Sequence, residues 1–384
     1  MDLNGLFSAD SHLEIPPEQW NKRVPQKHRE LAPRMVDVNG EDAFLIAGKP
    51  YFGSMNLYSG HAPEEFAPIG LKWKGPGTGG PQQRLAEQDA DGILGEVLYP
   101  GLAGGFAWAA IRAADPEAYK AVVRGYNSYL AEEFCAVAPN RLVGLGIIPE
   151  TGIDDAIAEL QYCKRAGMKG VLLNNFPSGE SVPTEVDDRF WATALDLQMP
   201  ISMHIAFRVI EGGVDGPAMR YPKQLEGDRR PPDFVQRLAR YGMRPALNVV
   251  QLVMSGVFDR LPNLKIFVAE SQIGWVPTFM EQMDRNYPKH KFWAERLLGL
   301  PQLKRPPSEY VREHFYWGFF NDRFGIRSRE DIGVDHIMWS TDFPHAESHW
   351  PNSRTLAAEN FAGVSPEDRH RMAVGNAYEF FHLS

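Results

Sequence analysis

Cysteine is nearly absent. Cys135 and Cys163 are the only two in 384 residues. Both fall in stretches with helical spacing and neither has a metal-type neighbour, so two reduced, buried thiols and a cytoplasmic setting are expected. Long apolar runs are missing as well. The longest, Ala246 to Phe258, is interrupted by Asn248, Gln251 and Ser255, short of the ~20 residues that a membrane-spanning helix needs. The opening Met1-Asp2-Leu3-Asn4-Gly5 has neither a basic nor an apolar stretch, so no signal peptide is expected. Basic residues are in deficit. Forty Lys and Arg against 49 Asp and Glu give a net charge of −9, which argues against nucleic acid as a partner, because phosphate binding needs a basic face. No repeat or low-complexity tract interrupts the chain. With 43% hydrophobic and 23% charged residues, disorder, collagen and coiled coil are excluded.

Short apolar runs alternate with longer amphipathic ones. Strands are expected at 6–13, 93–99, 141–148, 170–175, 200–206, 265–271, 314–320 and 336–342. Helices are expected at 115–138, 153–166, 187–198, 232–260, 274–287, 321–331 and, in pieces, 353–381. Strands followed by helices imply parallel pairing, and eight such units close a barrel. The expectation is an α/β fold, a (β/α)8 TIM barrel, rather than a doubly wound sheet. Residues 16–83, 207–231 and 288–311 do not fit a minimal barrel and read as insertions at its mouth. The glycines at 75–80 lack the strand–loop–helix setting of a phosphate loop and read as a flexible loop.

The chemistry gathers at strand ends. Asp10, His12 and Glu14 form D-x-H-x-E on the first strand, where alternation points all three the same way. His204 ends the fifth strand, Glu270 the sixth and Asp342 the eighth, with His345 in the following loop. Barrel active sites lie at the C-terminal ends of strands, so seven ionisable side chains converge on one mouth. Each alone has a bland reading: a satisfied core histidine, a helix cap, an ion pair. Together they predict a metal site, since buried polar groups at that density must be paired or coordinate an ion. Three histidines and four carboxylates without a thiolate favour Fe, Mn or Mg over structural zinc. Seven donors are enough for two ions.

These segments resemble the amidohydrolase superfamily in its metal-dependent decarboxylase and hydrolase branch. The carrying residues are Ala9 to Pro17, Met199 to His204, Ser255 to Lys265 and Asp335 to His345. The resemblance implies a distorted (β/α)8 barrel with Asp10, His12, His204 and Asp342 as metal ligands. Two departures stand out. The sixth strand ends Ala269-Glu270-Ser271-Gln272, where the decarboxylases usually place a proton-moving histidine. The fourth ends Leu173-Asn174-Asn175, without a bridging lysine or glutamate. The patterns D-x-H-x-E-x-P-P, A-E-S-x-I-G-W and T-D-F-P-H resemble a smaller group, the TIM-barrel non-haem diiron monooxygenases of the platensimycin/platencin type.

That resemblance implies two Fe ions held by Asp10, His12, Glu14, His204, Glu270, Asp342 and His345, with O2 and an electron donor as partners. The substrate would be hydrophobic and linked to coenzyme A. Tyr58, Phe66, Trp73, Phe106 and Trp108 could line its pocket, and Arg229, Arg230, Arg237 and Arg240 could meet the CoA phosphates. The alternative is a mononuclear Zn or Mn decarboxylase or hydrolase in which Glu270 or His345 acts as catalytic acid or base. A barrel kept for binding alone is a third reading, which the intact ligand set opposes. A homodimer is expected.

Overall fold

The computed structural model describes residues 5–52, 57–65, 72–101, 106–205, 207, 235, 238 and 241–384. Eight strands form one parallel sheet in the order β1 (Leu6–Leu13), β5 (Ile93–Pro100), β6 (Leu142–Ile147), β7 (Gly170–Leu173), β8 (Ile201–His204), β9 (Ile266–Ala269), β10 (Phe315–Phe319) and β11 (Ile337–Trp339). Their near-continuous burial suits a sheet covered on both faces. The first and last strands meet just past the end of β11. There the Asp342 amide donates to the Asp10 carbonyl (3.0 Å) and the His12 amide donates to the Phe343 carbonyl (2.6 Å). The barrel is thus drawn together by the residues expected to carry the chemistry.

Phe7, Ala9, Val97, Tyr99, Val143, Leu145, Leu172, Phe267, Ala269 and Met338 fill the interior, with Ala377 and Phe381 of the C-terminal segment packed against them. A second cluster lies between strands and surrounding helices. The interior set exposes a difference from simple alternation. Phe7 and Ala9 point inward, yet so do Asp10 and His12, which are on the other phase. The register with β5 slips between Ser8, opposite Glu96, and Ser11, opposite Leu98. Three steps on β1 match two on β5, a bulge that re-aims the side chains beyond it.

The stretch 16–83, read from the sequence as an insertion, carries regular structure of its own. A three-stranded antiparallel sheet runs β2 (Arg34–Val38), β3 (Glu41–Ile46) and β4 (Lys49–Tyr51). Its turns place Asn39-Gly40 and Ala47-Gly48 at positive φ, as tight hairpin turns require, and Asn-Gly is their strongest sequence signal. A helix then spans Pro81–Asp91, with proline in its first turn and left-handed Gly92 after it. The helix expected to stop at 287 instead runs Val276–Leu298 through Pro288 to left-handed Gly299. One missing amide donor did not end a long surface helix. The insertion expected at 207–231 lies almost wholly outside the described residues. Among the described residues no helix is long and apolar enough to cross a membrane.

Helix Pro116–Tyr129 is capped by Asp115, whose carboxylate accepts from the amides of Glu117 (2.9 Å) and Ala118 (3.2 Å). Asp115→Ala is expected to cost about 1 kcal/mol, measured as a lower urea midpoint with an unchanged slope.

Candidate metal centre

All seven expected side chains converge at the mouth. Asp10, Glu14, Glu270 and Asp342 are buried, as is His12, while His204 and His345 keep a little exposure. Glu270 (φ 52°) and Asp342 (φ 55°) both sit in the left-handed region. A non-glycine residue there carries strain, and such strain concentrates at functional sites. Here it turns each carboxylate at the end of its strand.

His12 is the hub. Its Nε2 lies 3.5 Å from Asp10 Oδ1 and 3.2 Å from Asp342 Oδ1. Its Nδ1 lies 3.4 Å from the Pro100 carbonyl, which can only accept. That bond places the proton on Nδ1 and leaves the Nε2 lone pair for an ion. His204 Nε2 lies 3.7 Å from Asp10 Oδ2 and 3.2 Å from Glu270 Oε2. Burial and the nearby charge of His345 hold the His12 pKa below its usual value, so His12 stays neutral.

His345 behaves oppositely. Burial alone would lower its pKa, but Asp342 and Glu14 outweigh that and push it up to about 10. Its Nε2 donates to Glu14 Oε1 (2.9 Å) and its Nδ1 to Asp342 Oδ1 (3.2 Å), while its ring stacks on His12 at 3.8 Å. Asp342 is desolvated, yet His345 and His12 hold its carboxyl well below the ordinary range.

Two compact donor groups result: Asp10 with His12 and His204, and His12 with Asp342 and His345. Donors about 2.1 Å from one ion lie roughly 3.0–3.4 Å from one another in octahedral or tetrahedral arrangement. The separations of His12 from Asp10 (3.5 Å) and Asp342 (3.2 Å) and of His204 from Asp10 (3.7 Å) are close to that. The residues therefore fit a divalent cation.

Sequence reasoning missed what surrounds the donors. Tyr99 forms the floor, its hydroxyl 2.5 Å from Ser202 Oγ and its ring tilted against both His12 and His204. Trp73 donates from Nε1 to the Glu14 carbonyl (2.7 Å), and Ser59 Oγ donates to the His345 carbonyl (3.2 Å). Trp73 is therefore a buried brace packed on Phe44, and Trp108 is core, packed on Trp20 and Tyr126. Neither lines an acyl pocket. Phe66, the Phe106 side chain, Arg229, Arg230, Arg237 and Arg240 lie outside the described residues.

A family model for amidohydrolases matches residues 9–383. The chain belongs to the amidohydrolase family. A relative of this amidohydrolase is the gamma-resorcylate decarboxylase of Polaromonas sp. (strain JS666 / ATCC BAA-500), 29% identical over 290 residues, covering 71% of this chain and 79% of that one. Among solved structures, an amidohydrolase from Mycobacterium avium subsp. paratuberculosis K-10 superposes with TM-score 0.72 at 18% identity over 98% of this chain and 99% of that one. A dihydroxybenzoic acid decarboxylase from Polaromonas sp. JS666, with bound manganese and the inhibitor 2-nitroresorcinol, gives TM-score 0.61 at 21% identity over 99% and 98%.

These likenesses correct the expectation of a dinuclear iron monooxygenase. The relative is a decarboxylase. Replacing a carboxylate by a proton consumes neither O2 nor electrons, so those partners, and a coenzyme A-linked substrate, lose their basis. The geometry gives a physical reason against two ions. Both compact groups need His12, and a neutral imidazole with Nδ1 committed to Pro100 offers one lone pair. A second ion at Asp342 and His345 would compete for that nitrogen.

Proposed function

We propose that this amidohydrolase is a metal-dependent, non-oxidative decarboxylase acting on a small aromatic carboxylic acid, with one divalent ion, Mn2+ or Zn2+, held by Asp10, His12, His204 and Asp342. The observation that carries the reading is the compact donor group of Asp10, His12 and His204, with Asp342 against the same His12 nitrogen, on a chain 29% identical to a gamma-resorcylate decarboxylase. When bound, the ion supplies Lewis-acid charge that draws in and orients the substrate's oxygens. Asp10, Glu270 and Asp342 surround it with negative charge, which favours retention of a divalent cation. Tyr99 and Trp73 keep the floor and rim dry and rigid. Glu14, His345 and Asp342 form a hydrogen-bonded chain that can move a proton towards the reacting ring carbon. As that carbon takes the proton, its bond to the carboxylate breaks and CO2 leaves with the ring's aromaticity restored. In this chain, proton handling rests on His345 rather than on a histidine at the end of β9, where Glu270 stands.

The test is release of CO2 from a panel of hydroxybenzoic acids, including 2,6-dihydroxybenzoate, by protein loaded with Mn2+. Turnover lost to a chelator and restored by Mn2+ or Zn2+, without O2 uptake, is the expected result. No CO2 from any acid of the panel with either metal would sink the reading.

A further inference from the structure

We infer that Asp322, on the loop after β10, is a positioning residue for the metal centre, acting through Glu270. The inference rests on the metal-site reading above and assigns the A-E-S-x-I-G-W segment a role. That segment, Glu270 to Trp275, leaves β9 in an unusual conformation: Glu270 and Gln272 both have positive φ, 52° and 51°. Left-handed backbone at two non-glycine residues within three persists only where neighbours over-determine it.

Asp322 supplies that determination from the adjacent loop. Its Oδ2 accepts from the amides of Ile273 (2.8 Å) and Gly274 (2.6 Å), and its Oδ1 accepts from Gly325 (2.7 Å). Its own amide donates to Asn360 Oδ1 (3.0 Å), so the carboxylate is itself anchored. A Cβ on Gly274 would lie 3.0 Å from Asp322 Oδ1 and one on Gly325 2.9 Å from Asp322 Cγ, which shows how closely the two loops approach. Ser271 adds a weaker tie, its Oγ lying 3.2 Å from the carbonyls of Val268 and Gly318 and sharing its one proton between them. Charge-assisted bonds from a carboxylate to backbone amides are about twice as strong as neutral ones. Asp322 therefore fixes where the turn begins and, through it, where the Glu270 carboxylate stands relative to His204 Nε2, 3.2 Å away.

A double-mutant cycle separates this role from plain structural support. Mn2+ affinity of the purified chain is measured from the free Mn2+ paramagnetic resonance signal, for Asp322→Ala, Asp322→Asn, Glu270→Gln and the two doubles. Asp322→Ala is expected to weaken Mn2+ binding about tenfold, the scale of losing a group that orients a ligand, here Glu270 beside His204. In the Glu270→Gln background the same change should cost less than twofold. Asp322→Asn should fall between, because its amide oxygen can still face Ile273 and Gly274. Equal losses in both backgrounds, or native affinity in Asp322→Ala, would overturn the proposal. Should Asp322→Ala not fold, Asp322→Asn replaces it in the cycle, and equal losses in both backgrounds or native affinity would again overturn the proposal. A native chain that binds Mn2+ but releases no CO2 fails the decarboxylase reading alone, whereas one that binds no Mn2+ overturns both.

Discussion

His204→Ala is expected to lose the metal and, with it, decarboxylation. His204 is the sole donor contributed by β8, and its Nε2 faces Asp10 on one side and Glu270 on the other. Without it the ion keeps one imidazole and two carboxylates, one donor short of the proposed four and with less nitrogen character. Withdrawing a Lewis acid removes several kcal/mol of charge stabilisation, which at 1.36 kcal/mol per decade lowers kcat/KM by about 10³-fold or more. The barrel itself should survive, because His204 ends its strand and its side chain is not part of the interior cluster. Metal analysis after dialysis, beside circular dichroism, checks both halves. A folded variant retaining one Mn2+ per chain and native turnover would remove His204 from the site. The comparison with Glu270→Gln is informative: Glu270 belongs to neither compact donor group, so its loss should weaken binding without abolishing it.

The barrel was legible because its strands are short, wholly buried runs such as Leu142–Ile147, separated by amphipathic segments of helical spacing. The convergence of the seven side chains on one mouth was legible for one reason: ionisable side chains gathered at the ends of several apolar strands have no cheap structural explanation together. Three things about the site were not legible. The bulge in β1 lets Ala9 and Asp10 both face inward, and no two-residue period can show an inserted step. The argument against a second ion rests on His12 being shared between two donor groups and on its Nδ1 facing Pro100, which are facts of distance rather than of residue type. The reaction was hidden for a related reason. Carboxylates and histidines report affinity for a hard cation and are silent on whether that cation reduces O2 or polarises a carboxylate. The hairpin at Asn39-Gly40 is different, since the Asn-Gly pair that signals it stands plainly in the sequence, within a stretch read only as an insertion.

Arg84 was hidden as well, because an arginine in an amphipathic helix ordinarily faces water. It is instead 2% exposed, and the largest expected loss of stability follows from that. Its Nε donates to Glu96 Oε1 (2.5 Å) and its Nη2 to Glu96 Oε2 (3.0 Å), a forked pair between helix Pro81–Asp91 and β5. Nη2 also reaches the Phe343 carbonyl (3.3 Å), and the guanidinium lies 4.5 Å from the Phe343 ring centroid. That carbonyl is the one accepting from the His12 amide, so Arg84 braces the segment between Asp342 and His345. Arg84→Met keeps the apolar stem and strands the Glu96 carboxylate in the interior with Gln88 as its remaining donor. Leaving one partner of a buried pair uncompensated costs about 3–5 kcal/mol, read as a lower urea midpoint. Arg84→Lys retains the charge but not the fork, and should fall between. The double change Arg84→Met with Glu96→Gln removes the stranded charge and should recover most of the loss, because the single change is dominated by the uncompensated carboxylate rather than by the lost pair. A single variant costing under about 1 kcal/mol, or a double variant less stable than the single, would show that the pair does not hold helix Pro81–Asp91 to the barrel.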